Sequence, residues 1–551
     1  MSIHDSSRAK EMRCQVLVFG GGLGGVSATL AAAALGVDVI LVEELDWLGG
    51  QLTAQGVPLD EGPWIEAGMH SRSYGHFRRR LRDYYRAHYP LTGEAHRTTE
   101  LNPGMGNVGS LCVEPTVAVR VIDDLLAPFV SGARIRVLRR HRLVRAVIDR
   151  DRVLGLELLR LEDGSTLFVA ADLVVDASET GDLLAAAEVE HVFGAEARAT
   201  TGEPHALAVA DPFDQQALTW CMAFDHRPGE DHTIDRPDDY ALHRDLRIDG
   251  WPGAQFSWVV SDHVTHRPLT RQLFAGDTDE PYVFDLWHAR RIAWRRHFLP
   301  GTYASDITVA NWPQMDYWRR PAIGVSPQDA AAALREARQF SLSFLYWMQT
   351  EAPRHDGGIG YPGLRLRGDV LGTADGLAKQ VYYREGRRIR AEFTVLEQHI
   401  GVQARPGRSA AEPFPDSVGI GAYRIDLHPS TRGRDTVDID AYPFEIPLGA
   451  LLPVRVDNLL PACKNIGTTR ITSGAYRVHP VEWSIGEAVG ALAAVALRHN
   501  LPPRGVRADA GRLADFQSTL ADLGVPLRWP VYGALTPYTR RGYRPPRPEG
   551  R

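Results

Sequence analysis

Hydrophobic positions in the first fifty residues fall into two continuous runs with an alanine-rich stretch between them. The runs cover residues 15–19 and 37–42, and the stretch between them covers residues 26–35. Continuous apolar runs are typical of strands covered on both faces, as in parallel sheets whose strands are joined by helices. The start of the chain is therefore predicted to form a β-α-β unit.

The pattern changes further along the chain. Residues 134–175 have the pattern of several short strands with a turn at Asp163 and Gly164, and the last strand is predicted to return to the first sheet. The middle of the chain is rich in Trp, His, Arg and Pro, with an amphipathic helix predicted over residues 329–348. Apolar runs and a final alanine-rich helix follow between residues 442 and 500.

These patterns predict an α/β protein with a discontinuous Rossmann-like domain, a parallel sheet with helices on both faces. Its first part is predicted over residues 1–216 and its closing part over residues 436–505. A mixed α+β domain that would bind the substrate is predicted to be inserted over residues 217–435. Residues 506–551 form a C-terminal extension, whose polar end, rich in Arg and Pro, is predicted to be flexible.

A glycine-rich turn stands between the first predicted strand and the first predicted helix. Gly20, Gly22 and Gly25 form the pattern G-x-G-x-x-G, and Glu43 follows the next apolar run. In dinucleotide-binding folds these glycines allow a tight turn, close approach to a pyrophosphate and close helix packing, while the acid binds a ribose. The order of strand, turn, helix and acid predicts a dinucleotide site, but it does not separate FAD from NAD.

A second glycine pair separates these two cofactors. Gly49 and Gly50 follow the acid closely, with Gln51 and Thr53 just beyond them. At this point the chain resembles flavoproteins of the glutathione-reductase-like class, in which this stretch of backbone passes the phosphates and the flavin ring. The resemblance implies that the cofactor is FAD.

A later segment is similar to the second phosphate-side segment of the same flavoproteins. It covers residues 174–188, where a strand end leads into a small-residue turn. The matching positions are Ala177, Ser178, Thr180 and Gly181. The resemblance implies that this turn lies beneath the pyrophosphate.

Residues 458–490 resemble the closing flavin-binding segment of the FAD-dependent oxidoreductase family, which is distantly related to fumarate reductases and halogenases. The matching positions are Gly474, Arg477, Gly486 and Gly490. The resemblance implies that Gly474, Val481 and Glu482 lie at the cofactor. The chain departs from the family at Cys463, where a glycine is common, and this side chain would be either a wall of the pocket or a thiol beside the flavin.

Two groups of side chains are candidates for the chemistry. Arg477 and His479 flank a predicted helix start near Pro480, whose positive end would stabilise a reduced, anionic flavin. His70 and Arg72 alternate along a segment predicted to be extended, which would place them in one wall facing a polar or anionic substrate. For both groups a structural role in hydrogen-bond networks or helix capping stays open.

Composition excludes several other classes of function. The 551 residues include 62 Lys and Arg against 68 Asp and Glu, a net charge of −6, which predicts neither a nucleic-acid nor a membrane partner. Four widely spaced cysteines predict neither a disulfide framework nor a zinc site, and no run is long and apolar enough for a membrane helix. A cytoplasmic protein is expected.

The resulting hypothesis is an FAD-dependent oxidoreductase that oxidises or dehydrogenates a small organic substrate by hydride transfer to flavin N5. The electron acceptor is left open between dioxygen and a redox partner, because no second dinucleotide motif is present. The alternatives are a monooxygenase that uses NAD(P)H or externally supplied reduced flavin, a non-catalytic flavin-binding protein, and a plain NAD-dependent dehydrogenase.

Overall fold

The computed structural model describes residues 10–248, 251–281 and 283–529. The end of the chain that was predicted to be flexible lies outside the described residues, so this remains a prediction.

The first part of the chain forms the central sheet and the helices beside it. The strands are β1 (Lys10–Phe19), β2 (Val39–Glu43), β3 (Ile135–Arg139), β4 (His141–Asp149), β5 (Arg152–Arg160), β6 (Thr166–Asp176) and β7 (His191–Val192). The helices are α1 (Leu23–Ala34), α2 (Arg72–His88), α3 (Gly93–Arg97), α4 (Pro115–Ser131), α5 (Asp182–Ala186) and α6 (Arg198–Thr201).

The middle of the chain is built from short strands and one long helix. The strands are β8 (Met222–His226), β9 (Val259–Ser261), β10 (Pro268–Thr270), β11 (Arg291–Ala293), β12 (Ile307–Ala310), β13 (Leu364–Leu366), β14 (Arg388–Ile389), β15 (Ser417–Gly421), β16 (Ile425–Leu427), β17 (Val437–Ile439) and β18 (Phe444–Pro447). The helices are α7 (Tyr240–Arg244), α8 (Leu286–Ala289), α9 (Pro327–Thr350), α10 (Gly368–Leu371) and α11 (Glu397–Ile400).

The closing part returns to the central sheet. Its elements are β19 (Leu459–Pro461), α12 (Arg470–Tyr476), α13 (His479–His499), α14 (Pro503–Ala508) and α15 (Ala510–Leu523).

The central sheet has the strand order β3-β2-β1-β6-β5-β4. β1 runs parallel to β2 and β6, and β3 runs parallel to β2. β6 pairs with antiparallel β5 near its start and with parallel β19 near its end. The predicted β-α-β unit and returning strand are confirmed. Because the parallel strands run the same way, their carboxyl ends meet at one edge, where such folds bind ligands.

The continuous apolar run in β1 reflects cover on both faces of the sheet. Val16 and Val18 belong to one hydrophobic core, and Leu17 and Phe19 belong to another. Val16, Leu17 and Val18 are fully buried. Successive side chains of a strand point to opposite faces, so a strand between two cores needs apolar residues at every position.

Glycines allow α1 and α13 to cross at very short distance. A Cβ atom on Gly486 would lie 2.0 Å from the carbonyl oxygen of Gly24, and one on Gly490 would lie 2.1 Å from that of Ala28. Four-residue spacing places both α13 glycines on one face of the helix. This crossing holds the start of α13 against the start of α1, next to the G-x-G-x-x-G turn.

Replacing Gly486 with alanine is expected to lower the free energy of unfolding by about 3 kcal/mol, because the two helix backbones must separate to admit one methyl group. Chemical denaturation measures this loss. Gly505→Ala is the matched control, since a Cβ atom there would have no neighbour closer than 3.6 Å. Equal losses in the two variants would contradict this account of the crossing.

The inserted region has its own sheet and its own aromatic core. The sheet order is β11-β12-β8-β13. Helix α9 packs beside it and contains the predicted helix over residues 329–348. It begins at Pro327, and the Ser326 hydroxyl accepts a hydrogen bond from the Asp329 N–H (3.1 Å). The buried aromatic side chains of this core include Phe224, Phe256, Trp258, Trp287, Trp312, Phe340, Phe344 and Trp347.

Strand pairs also cross the predicted boundary at residue 435. β15 pairs with β18, and β16 pairs with β17. Hydrogen bonds therefore join the two sides of that boundary. The division into an inserted and a closing part stays a proposal.

The sequence analysis expected no run long and apolar enough to cross a membrane, but helix α13, alone among the described helices, has that length and composition. Within the protein, 89% of its most apolar window is buried. Such burial is what a core helix requires.

Candidate active site

Three segments rich in small residues meet at the carboxyl ends of β1, β2 and β6. Gly49 donates its N–H to the carbonyl of Gly21 (2.7 Å), which joins the second glycine pair to the first motif. A Cβ atom on Gly20 would lie 2.3 Å from the backbone of Ala177, and Gly20 has a φ of +106°. Only glycine avoids both the contact and the strain at this position. The structure thus brings together the segments that the sequence analysis singled out.

A cleft of about 380 Å³ lies at this junction. The predicted cofactor-binding residues that line it are Gly20, Gly22, Glu43, Gly50, Ala177 and Ser178. Those that do not line it are Gly25, Gly49, Gln51, Thr53, Gly181, Gly474, Val481 and Glu482. Several of the latter shape the backbone around the cleft.

The opposite wall of the cleft comes partly from residues that the sequence analysis did not single out. Trp47, Trp220, Lys379 and Tyr383 line it. The Lys379 ammonium lies 3.1 Å from a carboxylate oxygen of Asp46 and 4.7 Å from the centre of the Trp47 ring. Lys379 and Tyr383 belong to the inserted region, and no local motif marks them as partners of a glycine turn more than three hundred residues earlier.

Glu43 is held rigidly at the end of β2. Its carboxylate accepts hydrogen bonds from the N–H groups of Gly21 (2.7 Å) and Leu45 (2.8 Å). Burial raises the pKa of Glu43 to about 7, although these two hydrogen bonds act in the opposite direction. The carboxylate therefore stands in the position where a dinucleotide fold places a ribose-binding acid.

A cluster of ionisable side chains surrounds the start of α1. Glu482 Oε1 accepts a hydrogen bond from the N–H of Gly24 (3.1 Å), and the Lys464 ammonium forms an ion pair with Glu179. Burial raises the pKa of Glu482 to about 7, while Lys464 opposes the shift. Glu482 Oε2 and Glu179 Oε1 have no hydrogen-bond partner among the described residues. A carboxylate thus lies where free N–H groups and the helix dipole favour an anion.

Cys463 belongs to the same cluster. Its sulfur lies 3.6 Å from Glu482 Oε1, and the side chain is fully buried. Burial and the charge of Glu482 raise the pKa of the Cys463 thiol well above its usual range. The thiol is therefore protonated at neutral pH, which argues against a nucleophile because only the thiolate is a good nucleophile.

Four of the remaining predicted cofactor residues determine how the backbone packs and turns around the cleft. Gly25 packs helix against turn, since a Cβ atom there would lie 2.0 Å from the carbonyl oxygen of Gly20. Thr53 donates its hydroxyl to the carbonyl of Leu48 (2.7 Å), and Gly181 adopts a φ of +66° before α5. A Cβ atom on Gly474 would lie 2.9 Å from the backbone nitrogen of Asp426, so Gly474 allows α12 to pack against β16.

Arg477 lies buried between Tyr382 and Asp426. Its Nη1 donates to the Tyr382 hydroxyl (2.5 Å), and its Nη2 donates to the backbone carbonyl of Asp426 (3.0 Å) and lies 3.3 Å from Asp426 Oδ2. The side-chain amide of Gln51 donates to the same Tyr382 hydroxyl (3.4 Å). These contacts connect the second glycine loop with Asp426. Arg477 Nε and Gln51 Oε1 have no hydrogen-bond partner among the described residues.

His479 does not have the geometry of a proton acceptor. Its Nδ1 accepts a hydrogen bond from the N–H of Asp60 (3.1 Å), and its Nε2 lies 3.2 Å from the carbonyl of Val57. Burial lowers the pKa of His479 to about 3. Both ring nitrogens contact backbone groups, so neither can accept a proton from a substrate. The geometry does not support the predicted catalytic role of His479; the ring instead holds residues 57–60 in place.

The predicted wall of His70 and Arg72 is not formed, because the segment is not extended. Helix α2 begins at Arg72, capped by the Ser71 hydroxyl, and Arg72 is exposed, with Nη1 donating to the carbonyl of Asp522 (3.1 Å). His70 instead lines a small cavity of about 20 Å³ together with Val481. These two predicted catalytic residues therefore face different surroundings, and neither lines the glycine-rich cleft.

A buried histidine–aspartate pair lies beside Asp426. His428 Nδ1 is 2.5 Å from Asp316 Oδ2, and the second oxygen of Asp316 accepts from the Thr219 hydroxyl (2.6 Å) and lies 3.0 Å from Arg384. His428 Nε2 is 3.8 Å from Asp426 Oδ2, beyond hydrogen-bond distance. The sequence analysis missed His428, Asp316 and Asp426, because they come from separate loops and a short strand with no characteristic spacing.

The residues around the cleft fit an FAD molecule. Gly22 leaves open the space that a side chain would fill, and Glu43 ends the adjacent strand. Buried, unpaired polar atoms remain on Glu179, Glu482 and Gln51 among the described residues. Leaving such an oxygen unpaired costs about 1–3 kcal/mol, so the cluster indicates that a ligand with hydrogen-bond donors belongs there.

A Rossmann-like sheet whose carboxyl edge carries two joined glycine motifs and a buried acid defines the class of dinucleotide-binding oxidoreductases. Within that class, the model of a family described as FAD dependent oxidoreductase matches residues 15–520. The chain belongs to this family, and FAD is its cofactor. The predicted family, α/β fold class, cofactor and enzyme class are confirmed.

Individual relatives are distant. Carotenoid 3,4-desaturase of Haloarcula japonica is 39% identical over 75 residues, which span 13% of this chain and 15% of the desaturase. A geranylgeranyl bacteriochlorophyll reductase-like protein from Thermoplasma acidophilum is 10% identical over 93% of this chain and 84% of its own, with a TM-score of 0.31. Glycerol-3-phosphate dehydrogenase from Bacillus halodurans, complexed with FAD, is 14% identical over 39% of this chain and 40% of its own, with a TM-score of 0.23.

Proposed function

We propose that this protein oxidises or dehydrogenates a small organic substrate, with hydride transfer to N5 of FAD. The observation that carries the proposal is the set of contacts that joins the loop after Gly50, which lines the glycine-rich cleft, to a buried polar network. Gln51 follows the second glycine pair and contacts Tyr382, which contacts Arg477 and through it Asp426. A polar network that starts at the cofactor cleft is a suitable place for a substrate.

The phosphate side of the cleft would be formed by backbone and one cation. The turn at Gly20, Gly22 and Gly25 would face the pyrophosphate with free N–H groups of α1, and Lys464 would offset its negative charge. Glu43 would accept hydrogen bonds from the ribose. The second glycine pair, with Gln51 and Thr53, and the turn at Ala177, Ser178 and Gly181 would enclose the cofactor from two further sides.

The polar network of Gln51, Tyr382, Arg477 and Asp426 would orient the substrate and exclude water. FAD, when bound, supplies a two-electron acceptor at flavin N5. Burial opposes the charge of Arg477, but nearby Tyr382 and Asp426 raise the pKa of Arg477, so it stays charged. Its unpaired Nε can donate a hydrogen bond to a polar group of the substrate. Val481 and Gly474 would act indirectly, by packing α13 and α12 beside this network.

The test is an anaerobic screen of alcohols, amines and organic acids that follows loss of the flavin absorbance. We expect the purified protein to contain FAD and one class of these compounds to bleach it. Bleaching only by NADPH would favour a monooxygenase instead, and a flavin that no compound bleaches would favour a non-catalytic flavin-binding protein.

We further propose a cytoplasmic location and either dioxygen or a redox partner as electron acceptor. The four cysteines are free and buried, which suits a reducing compartment. Admitting air to the substrate-reduced protein distinguishes the acceptors: rapid return of the absorbance indicates dioxygen, and slow return indicates a redox partner.

A further inference from the structure

His428 is oriented by the carboxylate of Asp316. The 2.5 Å contact joins Nδ1 of the ring to Asp316 Oδ2, and the other oxygen of Asp316 is held by Thr219 and Arg384. A carboxylate that accepts from Nδ1–H leaves Nε2 as the ring nitrogen with a free lone pair. Nε2 has no hydrogen-bond contact with Asp426, its neighbour at 3.8 Å.

The rings and carboxylates of this group are not all enclosed to the same degree. The side chains of His428 and Asp426 keep 14% and 18% of their accessible surface, whereas Asp316 keeps none. Asp426 contacts Arg477, which leads through Tyr382 to the loop after the second glycine pair. His428 is therefore part of the polar network that reaches the loop after Gly50, and Gly50 lines the cofactor cleft.

The protonation states suit a base. Burial, together with the charge of Arg384, lowers the pKa of His428 to about 4, so the ring is neutral at pH 7. Burial opposes ionisation of Asp316, but Arg384 and His428 outweigh it and lower the pKa of Asp316, which is ionised. A proton arriving on Nε2 would be flanked by Asp316 on one side and Asp426 on the other, and these two carboxylates offset part of the effect of burial and of Arg384, which oppose protonation.

The charged side chains of the network are paired with one another. Asp316 pairs with Arg384 and Asp426 with Arg477, the ring of His428 is neutral, and the ring of His263 lies 3.9 Å from Asp426 Oδ1. A substrate that carries a full charge would leave one buried charge unpaired, which is unfavourable in a desolvated site. A neutral molecule with a hydroxyl group fits, because it brings one donor for Nε2 and no net charge.

We propose that His428 is the catalytic base, with Asp316 as its positioning residue, and that the substrate is a neutral primary or secondary alcohol. This rests on the proposed function above. The O–H proton passes to His428 Nε2, and the hydrogen on the same carbon leaves with its electron pair as hydride to FAD, the oxidant. The C–O single bond becomes a carbonyl double bond, and the proton later passes from His428 to solvent.

The test combines a defined panel with one variant. Glycerol, D-glucose, myo-inositol, 2-propanol and benzyl alcohol are compared anaerobically with benzylamine and ethanolamine as reductants of the bound flavin. At least one of the alcohols is expected to bleach the wild-type protein. His428→Gln is expected to keep its FAD and its reduction by dithionite, while reduction by that alcohol slows about 10²- to 10⁴-fold.

Two controls separate a base from a merely structural histidine. His205 also pairs with a carboxylate, Glu397, at 2.7 Å but lies outside this network, and His205→Gln should reduce at the wild-type rate. In His428→Gly, added imidazole should restore much of the lost rate, which a structural defect would not allow. Bleaching by amines alone, no bleaching by any alcohol, or a wild-type rate in His428→Gln would overturn the inference. A wild-type protein without FAD would instead overturn the proposed function.

Discussion

Replacing Gly22 with leucine is expected to give a folded protein that no longer retains FAD. Gly22 has a φ of −61°, which leucine adopts without strain. A Cβ atom there would lie 3.1 and 3.3 Å from the tips of the Glu482 and Glu179 side chains, which can move, and 3.9 Å from the Ala177 carbonyl oxygen, an ordinary contact distance. The added side chain would fill the cleft in front of the free N–H groups of α1. We expect the Kd for FAD to rise about 100-fold or more, roughly 2.7 kcal/mol.

The measurement is the ratio of flavin absorbance to protein, together with a thermal denaturation curve. Gly505→Leu adds the same bulk to α14, away from the cleft, and should keep both its FAD and its Tm. Full FAD content in Gly22→Leu would show that the pyrophosphate lies elsewhere. Loss of folding together with FAD would mean that the neighbouring side chains cannot move as we assume.

The affinity for FAD is expected to fall as the pH rises through 7, because Glu482 and the pyrophosphate compete for the same N–H groups. The burial-raised pKa of Glu482, about 7, leaves the side chain neutral below this pH and charged above it. Only the charged form repels the phosphates, so the Kd should grow above pH 7 and level off below it. For one obligatory proton, the Kd at pH 8.5 is about 30-fold higher than at pH 6.

Glu482→Gln should remove most of this dependence and bind FAD more tightly at pH 8.5. The groups that face Glu482 are Lys464, Glu179 and Cys463. Glu43 also has a pKa of about 7 and adds its own dependence, so the difference between wild type and variant is the decisive quantity. Glu487→Gln is the matched control, since burial likewise raises the pKa of Glu487, which lies farther along α13. Equal slopes in Glu482→Gln and wild type would refute the competition.

The cofactor-binding part of this protein could be predicted from the sequence because the residues that form it lie close together along the chain. The apolar run of β1, the turn at Gly20 and the acid at Glu43 lie within thirty residues, and each has a physical role that does not depend on distant partners. The helix over residues 327–350 was predictable for the same reason, since periodicity and a capping serine are local signals.

The segment after His70 shows where a local pattern misled. Alternation of polar residues suggested an extended wall, yet Tyr74, Phe77, Leu81 and Tyr85 recur at helical spacing and bury one face of α2. Burial of that apolar face outweighs any preference of the polar positions, because the hydrophobic effect dominates the free energy of folding. Arg72 is exposed as a result.

The amino-acid sequence by itself determined the Rossmann-like sheet and the glycine turn, since backbone geometry and apolar periodicity are encoded over a few adjacent residues, and its resemblance to a known family implied the identity of the cofactor. Only the tertiary structure decided the roles of the polar side chains. Both ring nitrogens of His479 contact the backbone at residues 57–60, and the ring of His428 contacts Asp316, 112 residues away along the chain. The state of an ionisable group depends on which charges and donors folding brings within a few ångströms, and no spacing in the sequence specifies those neighbours.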